Sequence, residues 1–211
     1  MIPYKNEWIK ALEERHGKEL QNKISLSKVA ICGLGGLGSN IAILLARAGV
    51  GKLILIDFDK VDITNLHRQQ YKACQIGMYK TEALACNLKE IAPYLKTEIH
   101  TVRMEEKNYS ELLQGADIIC EAFDSAEEKA NIVNFILSEM PTKYLVAASG
   151  MAGLDSANSI KTRKVSKRFY LCGDDKSDIA DGIGLVASRV CVCASHQANM
   201  VLRIISENFE E

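Results

Sequence analysis

Two kinds of segment alternate along the chain, short apolar runs and longer stretches in which apolar residues recur at helical spacing. Runs of five to seven apolar or small residues lie at 28–32, 52–56, 116–122 and 143–149, and a more polar run lies at 97–102. Their length and composition are typical of buried strands. The pattern therefore predicts five strands separated by segments long enough to form helices.

The segments between these strands predict helices that cover the sheet. Pro93 ends the second of them, because proline cannot continue a helix. The helices, with the apolar residues that should face the core, are 39–46; 77–92 with Leu84, Leu88 and Ile91; and 126–137 with Ala126, Ala130, Val133 and Leu137. Strands that alternate with helices indicate an α/β fold, a Rossmann-like, doubly wound and mostly parallel sheet with flanking helices.

The two ends of the chain and one internal segment depart from this alternation. Residues 4–24 predict one N-terminal helix with a broken apolar stripe at Trp8, Leu12 and Leu20. Residues 150–184 are charged and contain several glycines, which favours a crossover segment or a small antiparallel excursion. Residues 185–207 predict a helix rich in small side chains. We expect a single domain spanning 1–211.

Composition narrows the class of protein without identifying its chemistry. The chain has 211 residues, is 47% hydrophobic and carries a formal net charge of −1, so it offers no overall attraction to nucleic acid or an anionic membrane. Its seven cysteines suit a reducing cytosol. No signal-like leader and no apolar stretch of membrane-spanning length is seen. We expect a soluble, cytoplasmic protein.

A glycine-rich turn joins the first strand to the first helix. Residues 33–38 read Gly-Leu-Gly-Gly-Leu-Gly, which places Gly33, Gly35, Gly36 and Gly38 where backbone N–H groups and a helix N-terminus can receive a phosphate. Asp57 follows the second strand at the distance expected for an acid that binds ribose hydroxyls. Together these features predict a nucleotide site, although glycines at this spacing also occur in ordinary turns.

Polar and cationic residues follow the second strand. Asn65, Arg68, Gln69 and Lys80 should lie near the glycine turn, where their charges and amides could neutralise a triphosphate. A solvated location beside helix starts is the alternative for Arg68 and Lys80. A simple dinucleotide oxidoreductase would need only the acid after the second strand, Asp57, so the additional polar and cationic residues favour a different nucleotide chemistry.

Asp124 follows the strand at 116–122 and should reach the same sheet edge as the glycine turn. A carboxylate at that edge could hold Mg²⁺ against phosphate oxygens, since this ion prefers hard oxygen ligands. Aspartate is also common as a helix cap, so Asp124 could instead cap the helix that follows. The two roles are compatible.

Taken in order, these motifs resemble the ThiF, MoeB and HesA family of ubiquitin-activating-enzyme-like adenylyltransferases. The resemblance covers residues 24–150 and continues near the C-terminus, and the short length is most like the compact ThiF-type proteins of thiamine biosynthesis. The segments that carry it are Gly33–Gly38, Ala48–Gly51, Asp57–Asp59, Asn65–Gln69, Gly77–Lys80, Asp124, Ala148–Gly153, Gly184–Val190 and Ala194–Asn199.

The resemblance implies that the chain uses ATP and Mg²⁺ to adenylate the C-terminal glycine carboxylate of a ThiS-like, ubiquitin-fold sulfur carrier. It assigns Asp57 to the ribose, Asp124 to Mg²⁺, and Asp59 to the nucleotide-binding set. Phosphate contacts are implied for Asn65, Arg68, Gln69 and Lys80. The family also forms homodimers in which an arginine crosses the interface, and Arg15 is the candidate by position.

Three features depart from the family pattern or remain open. Longer relatives bind zinc through two Cys-x-x-Cys pairs, whereas this chain has only Cys191-Val-Cys193, so we expect no zinc site. Cys172 is the only cysteine in the crossover segment, and nearby acids should raise its pKa, which favours a structural over a catalytic role. The basic residues of 161–168 could steer an acidic carrier, although a solvated hairpin is the more common role of such a stretch.

Other functions fit parts of the same pattern. A tRNA threonylcarbamoyladenosine dehydratase also activates a carboxylate with ATP, although the near-neutral charge makes a nucleic-acid partner less favoured. An NAD-dependent oxidoreductase would leave Arg68, Lys80 and Asp124 without a purpose. A non-catalytic protein that binds a ubiquitin-like partner is the third alternative.

Overall fold

The structure is a computed structural model, and it describes residues 2–178, 180 and 182–207. The elements run in the order α1 Lys5–His16, α2 Lys18–Leu26, β1 Lys28–Cys32, α3 Gly36–Ala48, β2 Lys52–Ile56, α4 Lys80–Ile91, β3 Lys96–His100, α5 Glu106–Leu113, β4 Ile118–Glu121, α6 Ala126–Glu139, β5 Tyr144–Ala148, β6 Lys161–Ser166, β7 Phe169–Gly173 and α7 Ala187–Ile205. Short 3₁₀ turns lie at Ile63–Asn65, Ala73–Gln75 and Ala157–Ser159.

One seven-stranded sheet organises the molecule, with the strand order β3-β2-β1-β4-β5-β7-β6. Every neighbouring pair is parallel except β6 and β7, which form an antiparallel hairpin at one edge. The strand order changes direction between β1 and β4, which is where doubly wound folds bind ligands. The predicted α/β class and mostly parallel sheet are confirmed.

Alternate side chains of the central strands enter two hydrophobic layers. Val29 and Ile31 of β1 face α3, α4 and α7, whereas Ala30 and Cys32 face α5 and α6. The strands are buried on both faces, so their sequences are continuous apolar runs without alternation. This arrangement leaves the carboxyl edge of the sheet as the place where loops can form a site.

Several predicted elements differ in detail from those observed. The N-terminal segment forms two helices instead of one, because Gly17 adopts φ +83° and interrupts the run. Neither Trp8, Leu12 nor Leu20 is fully buried, and the buried residues of this region are Gln21 and Ile24 in α2. The third strand covers 96–100 instead of 97–102.

The core face of α6 was predicted only in part. Val133 is partly buried and packs on the core as predicted, whereas Leu137 is 44% exposed and Ala126 and Ala130 face solvent. The buried residues of this helix are Ile132 and Ile136. The two isoleucines bury more apolar area than the alanines, so they determine which side of the helix packs on the sheet.

The segment 150–184 contains the β6–β7 hairpin, in agreement with the antiparallel excursion, and β7 also extends the main sheet beside β5. The basic residues of β6 are largely exposed, as in a solvated hairpin. α5 was not predicted at all. None of the helices described is both long and apolar enough to cross a membrane.

Candidate nucleotide site

A cavity of about 570 Å³ opens at the carboxyl edge of the sheet, beside the point where the strand order changes direction. Loops after β1, β2, β3, β4 and β5 line one part of it. The start of α7 and the segment after β7 line the rest. Of the residues predicted for the site, those that line this cavity are Gly35, Gly36, Asp57, Asp59, Arg68, Lys80 and Asp124.

The glycine turn depends on two close backbone approaches. Gly33 has φ +89°, and a Cβ at Gly38 would lie 1.9 Å from the carbonyl oxygen of Gly33. No larger residue fits at either position without moving the turn. Neither glycine lines the cavity, whereas Gly35 and Gly36 do, at the N-terminus of α3. Gly33 and Gly38 thus shape the turn, and Gly35 and Gly36 present it to the cavity.

Asp57 connects the end of β2 to the glycine turn. Its carboxylate accepts hydrogen bonds from the backbone N–H of Leu34 at 2.6 Å and of Asp59 at 2.7 Å. Burial raises the pKa of Asp57 above its ordinary value, against the opposing effects of Lys80 and these two amides. The carboxylate lines the cavity beside the helix N-terminus, a location suited to ribose hydroxyls.

Lys80 begins α4 and brings a buried cation to the cavity. Its Nζ lies 2.7 Å from Asp59 Oδ2 and 4.0 Å from Asp57 Oδ2, and only 7% of its side chain is exposed. The alternative of a solvated lysine is therefore wrong. The two acids hold the ammonium group at the same edge of the sheet as the glycine turn.

Arg68 reaches the cavity from the loop after the first 3₁₀ turn. Its Nη2 donates to Asn65 Oδ1 at 2.9 Å, and its carbonyl oxygen accepts from Asn40 Nδ2 at 3.2 Å. Arg68 Nε and Gln69 Oε1 are buried and have no partner among the described residues. Asn65 and Gln69 do not line the cavity. Asn65 contacts it indirectly through Arg68, and Gln69 lies beside the glycine turn at Gly35.

Asp124 presents an exposed carboxylate to the cavity. In the part of the chain that the structure describes, this carboxylate has no hydrogen-bond or ion-pair partner. The helix cap is instead Ser125, whose Oγ accepts from the backbone N–H of Glu128 at 3.3 Å. The capping alternative for Asp124 is therefore wrong. Its open oxygen atoms suit Mg²⁺, which is often bound by one or two carboxylates together with substrate phosphates.

Sequence reasoning missed several residues on the walls of the cavity. The guanidinium of Arg103 lies 5.2 Å from the centre of the Phe58 ring and donates to Glu128 Oε1 at 2.7 Å. Lys129, in α6, also lines the cavity. Arg103 follows β3 just as Asp57 follows β2, so the rule that selected Asp57 could also have found Arg103.

A buried ion pair connects α7 to the segment after β7. Arg189, in α7, donates to Asp174 Oδ2, and both side chains are at most 3% exposed. Arg189 also contacts Ser156 and Ser159. Burial opposes ionisation of Asp174, but the backbone N–H groups of its neighbours and Arg189 outweigh that effect and lower its pKa. The pair thus connects three segments that border the cavity.

Cys172 is fully buried in β7. Burial raises its pKa to about 11, against the effect of a hydrogen bond with Thr162 at 3.4 Å. The predicted rise in the pKa of Cys172 is confirmed, but its cause is desolvation and not neighbouring acids. Such a thiol is a poor nucleophile at neutral pH.

The remaining predicted residues lie away from the cavity. Arg15 is exposed near the end of α1 and does not line it, so its role across a dimer stays a prediction. Cys193 is buried and Cys191 is partly exposed, as expected for thiols on different sides of a helix. Among the described residues, no three His, Cys, Asp or Glu side chains converge on a metal-binding point.

Comparisons with known proteins agree with this architecture. The chain is 37% identical over 108 residues to the molybdopterin-synthase adenylyltransferase of Haemophilus influenzae, a match covering 51% of this chain and 44% of that protein. It is 36% identical over 115 residues to the adenylyltransferase and sulfurtransferase MOCS3 of Caenorhabditis briggsae, covering 54% of this chain and 29% of that protein. The chain thus spans less than half the length of either relative.

Solved structures share the fold at lower identity. The E. coli tRNA N6-threonylcarbamoyladenosine dehydratase TcdA in complex with ATP superposes with a TM-score of 0.86 at 19% identity, covering 98% of both chains. E. coli MccB with ATP gives a TM-score of 0.72 at 22% identity, covering 90% of this chain and 59% of that one. The ThiF family model matches residues 9–211, almost the whole sequence, and the protein therefore belongs to the ThiF family.

Proposed function

We propose that the protein is an ATP- and Mg²⁺-dependent adenylyltransferase that activates a carboxylate. One observation carries this proposal: the cavity brings Arg68, Lys80 and the open carboxylate of Asp124 together around a glycine turn. A nicotinamide-dependent oxidoreductase would have no use for two cations and a second acid at these places. Two of the curated relatives are also named adenylyltransferases.

The proposed reaction is an in-line displacement at the α-phosphate of ATP. A carboxylate oxygen forms the new bond to phosphorus, the bond to the bridging oxygen of the β-phosphate breaks, and pyrophosphate leaves with that electron pair. The nucleophile is already an anion, so no general base is required. Catalysis then consists of positioning and of neutralising charge on the phosphates, which Arg68 and Lys80 supply.

The ribose, the phosphates and the metal of the nucleotide complex each have a matching group at the cavity. Asp57 lies where it can accept hydrogen bonds from ribose hydroxyls, and Gly35 and Gly36 present the N-terminus of α3 to phosphate. Asp124 would hold Mg²⁺, which supplies further neutralisation of the phosphate charge when bound. Asn65 supports Arg68, and the unpartnered oxygen of Gln69 is available beside the turn.

The carboxylate that we propose as substrate is the C-terminal glycine of a ThiS-like, ubiquitin-fold sulfur carrier, in a route to the thiazole of thiamine. The resemblance to compact ThiF-type proteins supports this choice. The family also favours a homodimer, in which Arg15 of one protomer would complete the site of the other. The test is ATP–pyrophosphate exchange in the presence of carriers that end in Gly-Gly, and absence of exchange with every such carrier would refute the choice of substrate.

A second candidate substrate is the carboxylate of a threonylcarbamoyl group on tRNA. The observation in its favour is the superposition with TcdA over 98% of both chains. Against it, a neighbouring groove that shares Arg103 and Glu128 with the cavity is lined by Glu105, Glu106, Glu127, Glu128 and Glu139. These acids would repel a polyanion. Retention of tRNA at moderate salt would reverse the preference between the two substrates.

A further inference from the structure

A second ion pair lies at the cavity wall, which Lys129 lines with 22% of its side chain exposed, whereas its partner Glu121 is buried. Glu121 is the last residue of β4, its side chain is 1% exposed, and both of its carboxylate oxygens lie within 2.9 Å of Lys129 Nζ. The same carboxylate accepts the backbone N–H of Phe123 at 2.7 Å. One side chain therefore fastens the end of the strand, the following turn and the second turn of α6.

Asp124 lies inside the turn that this pair fastens. The residue before it donates its N–H to Glu121, and the residue after it is the cap of α6. Asp124 makes no contact of its own that fixes its carboxylate, at least with the residues that the structure describes. The place from which its carboxylate reaches into the cavity is therefore set by the backbone of the turn, and Glu121 contacts that backbone at Phe123 and Lys129 in α6.

We propose that the Glu121–Lys129 pair positions Asp124 for Mg²⁺. This inference rests on the proposed function, because it assigns to Asp124 the metal of the nucleotide complex. Glu121 and Lys129 act through Asp124 and are positioning residues. The pair also occupies Lys129: both Lys129 and Asp124 line the cavity, so without Glu121 an ammonium group with no partner would be left near an open carboxylate that it could neutralise.

Glu121→Gln is the direct test. Glutamine has nearly the same shape and can still accept the N–H of Phe123, but it no longer neutralises Lys129. We expect the affinity for ATP, measured calorimetrically with MgCl₂, to weaken about tenfold, whereas the affinity in EDTA should change less than about twofold. The reason is that only the contribution of Mg²⁺ to ATP affinity requires Asp124 in its place. Lys129→Arg, which keeps the charge, should retain the Mg²⁺ dependence to within about threefold.

Glu127→Gln is the matched control. Glu127 is an exposed acid in the first turn of α6, so this change removes the same charge close to Asp124 without touching the pair. It should leave Mg²⁺-dependent binding within about twofold of the wild type. Equal effects of Glu121→Gln and Glu127→Gln would overturn the proposal, because they would indicate a general charge effect instead of positioning.

Thermal unfolding shows whether each variant is folded. If Glu121→Gln is unfolded, the double variant Glu121→Gln/Lys129→Met replaces the whole pair by neutral side chains, a change that buried pairs often tolerate. We expect it to fold and to lose the Mg²⁺ dependence. If either folded variant binds ATP with the same Mg²⁺ dependence as the unmodified protein, the positioning role alone is overturned. If the unmodified protein does not bind ATP with Mg²⁺, the proposed function is overturned as well.

Discussion

The two walls of the cavity are built in different ways. The wall formed by residues 33–80 comes from one continuous part of the chain, and contacts within that part, such as Asp59 to Lys80, hold it together. The wall formed by residues 149–190 depends on the buried pair of Asp174 and Arg189, which connects separate segments. The first wall has the features of a nucleotide site, and the second meets it where Val190 of α7 lies beside Gly36. Mutations in the first wall should therefore act mainly on nucleotide chemistry, and mutations of the pair in the second mainly on stability.

Lys80→Ala should have the largest effect on the first wall. The change removes a buried cation from the proposed phosphate site, and we expect ATP–pyrophosphate exchange to fall about 10²- to 10³-fold, the size seen when one group that stabilises transition-state charge is lost. Lys89→Ala, an exposed lysine on the same helix, is the control and should leave exchange unchanged. If Lys80→Ala kept full exchange, the first wall would not be the phosphate site.

Breaking the pair in the second wall should mainly reduce stability. Arg189→Met leaves Asp174 buried without its partner, and we expect the free energy of unfolding to fall by about 3–5 kcal/mol in denaturant titrations. ATP affinity of the folded fraction should change less than about threefold. Arg203→Met on the same helix should cost under about 0.5 kcal/mol. A large loss of ATP affinity in folded Arg189→Met would show that the two walls are not separable.

Nucleotide binding should weaken through Asp57 as the pH falls. Burial raises the pKa of this acid, so its carboxylate, which the ribose requires, is protonated at a higher pH than an ordinary aspartate when the solution is acidified. Asp57→Asn should weaken ATP binding about tenfold at neutral pH and flatten this pH dependence. Asp155→Asn, at an exposed position outside the cavity, should keep the wild-type profile. An unchanged profile in Asp57→Asn would assign the titration to another group.

Cys172 should give the smallest effect. With a pKa of about 11, roughly one thiol in a thousand is ionised at pH 8, and its burial also blocks access. Mass spectrometry after brief alkylation should find Cys74 and Cys86, which are exposed, modified well before Cys172. Cys172→Ala should keep exchange within about twofold. Rapid labelling of Cys172 or loss of sulfur transfer in the variant would restore a catalytic role for this thiol.

The first wall was largely predictable from the sequence, and the second was not. Asp57 and Lys80 of the first wall, and also Asp124 after β4, follow strands or begin helices that the apolar pattern identifies, and parallel topology then places all three at one edge. No local pattern relates Asp174 to Arg189 or Glu121 to Lys129, because tertiary packing decides such pairing. The buried stripe of α6 was missed in part for a similar reason, since spacing alone does not say which face meets the sheet. The break between α1 and α2 has a local cause instead, the positive φ of Gly17.

The central claim is that this cavity transfers AMP to a carboxylate, and intact-mass spectrometry of the acceptor tests it most directly. After incubation with the protein, ATP and Mg²⁺, a ubiquitin-fold carrier ending in Gly-Gly should gain the mass of one AMP, and the same carrier without its last glycine should not. Lys80→Ala should abolish the adduct. If no such carrier gained AMP and a tRNA did, the proposed substrate would be contradicted. If neither a carrier nor a tRNA gained AMP, adenylyl transfer itself would be contradicted.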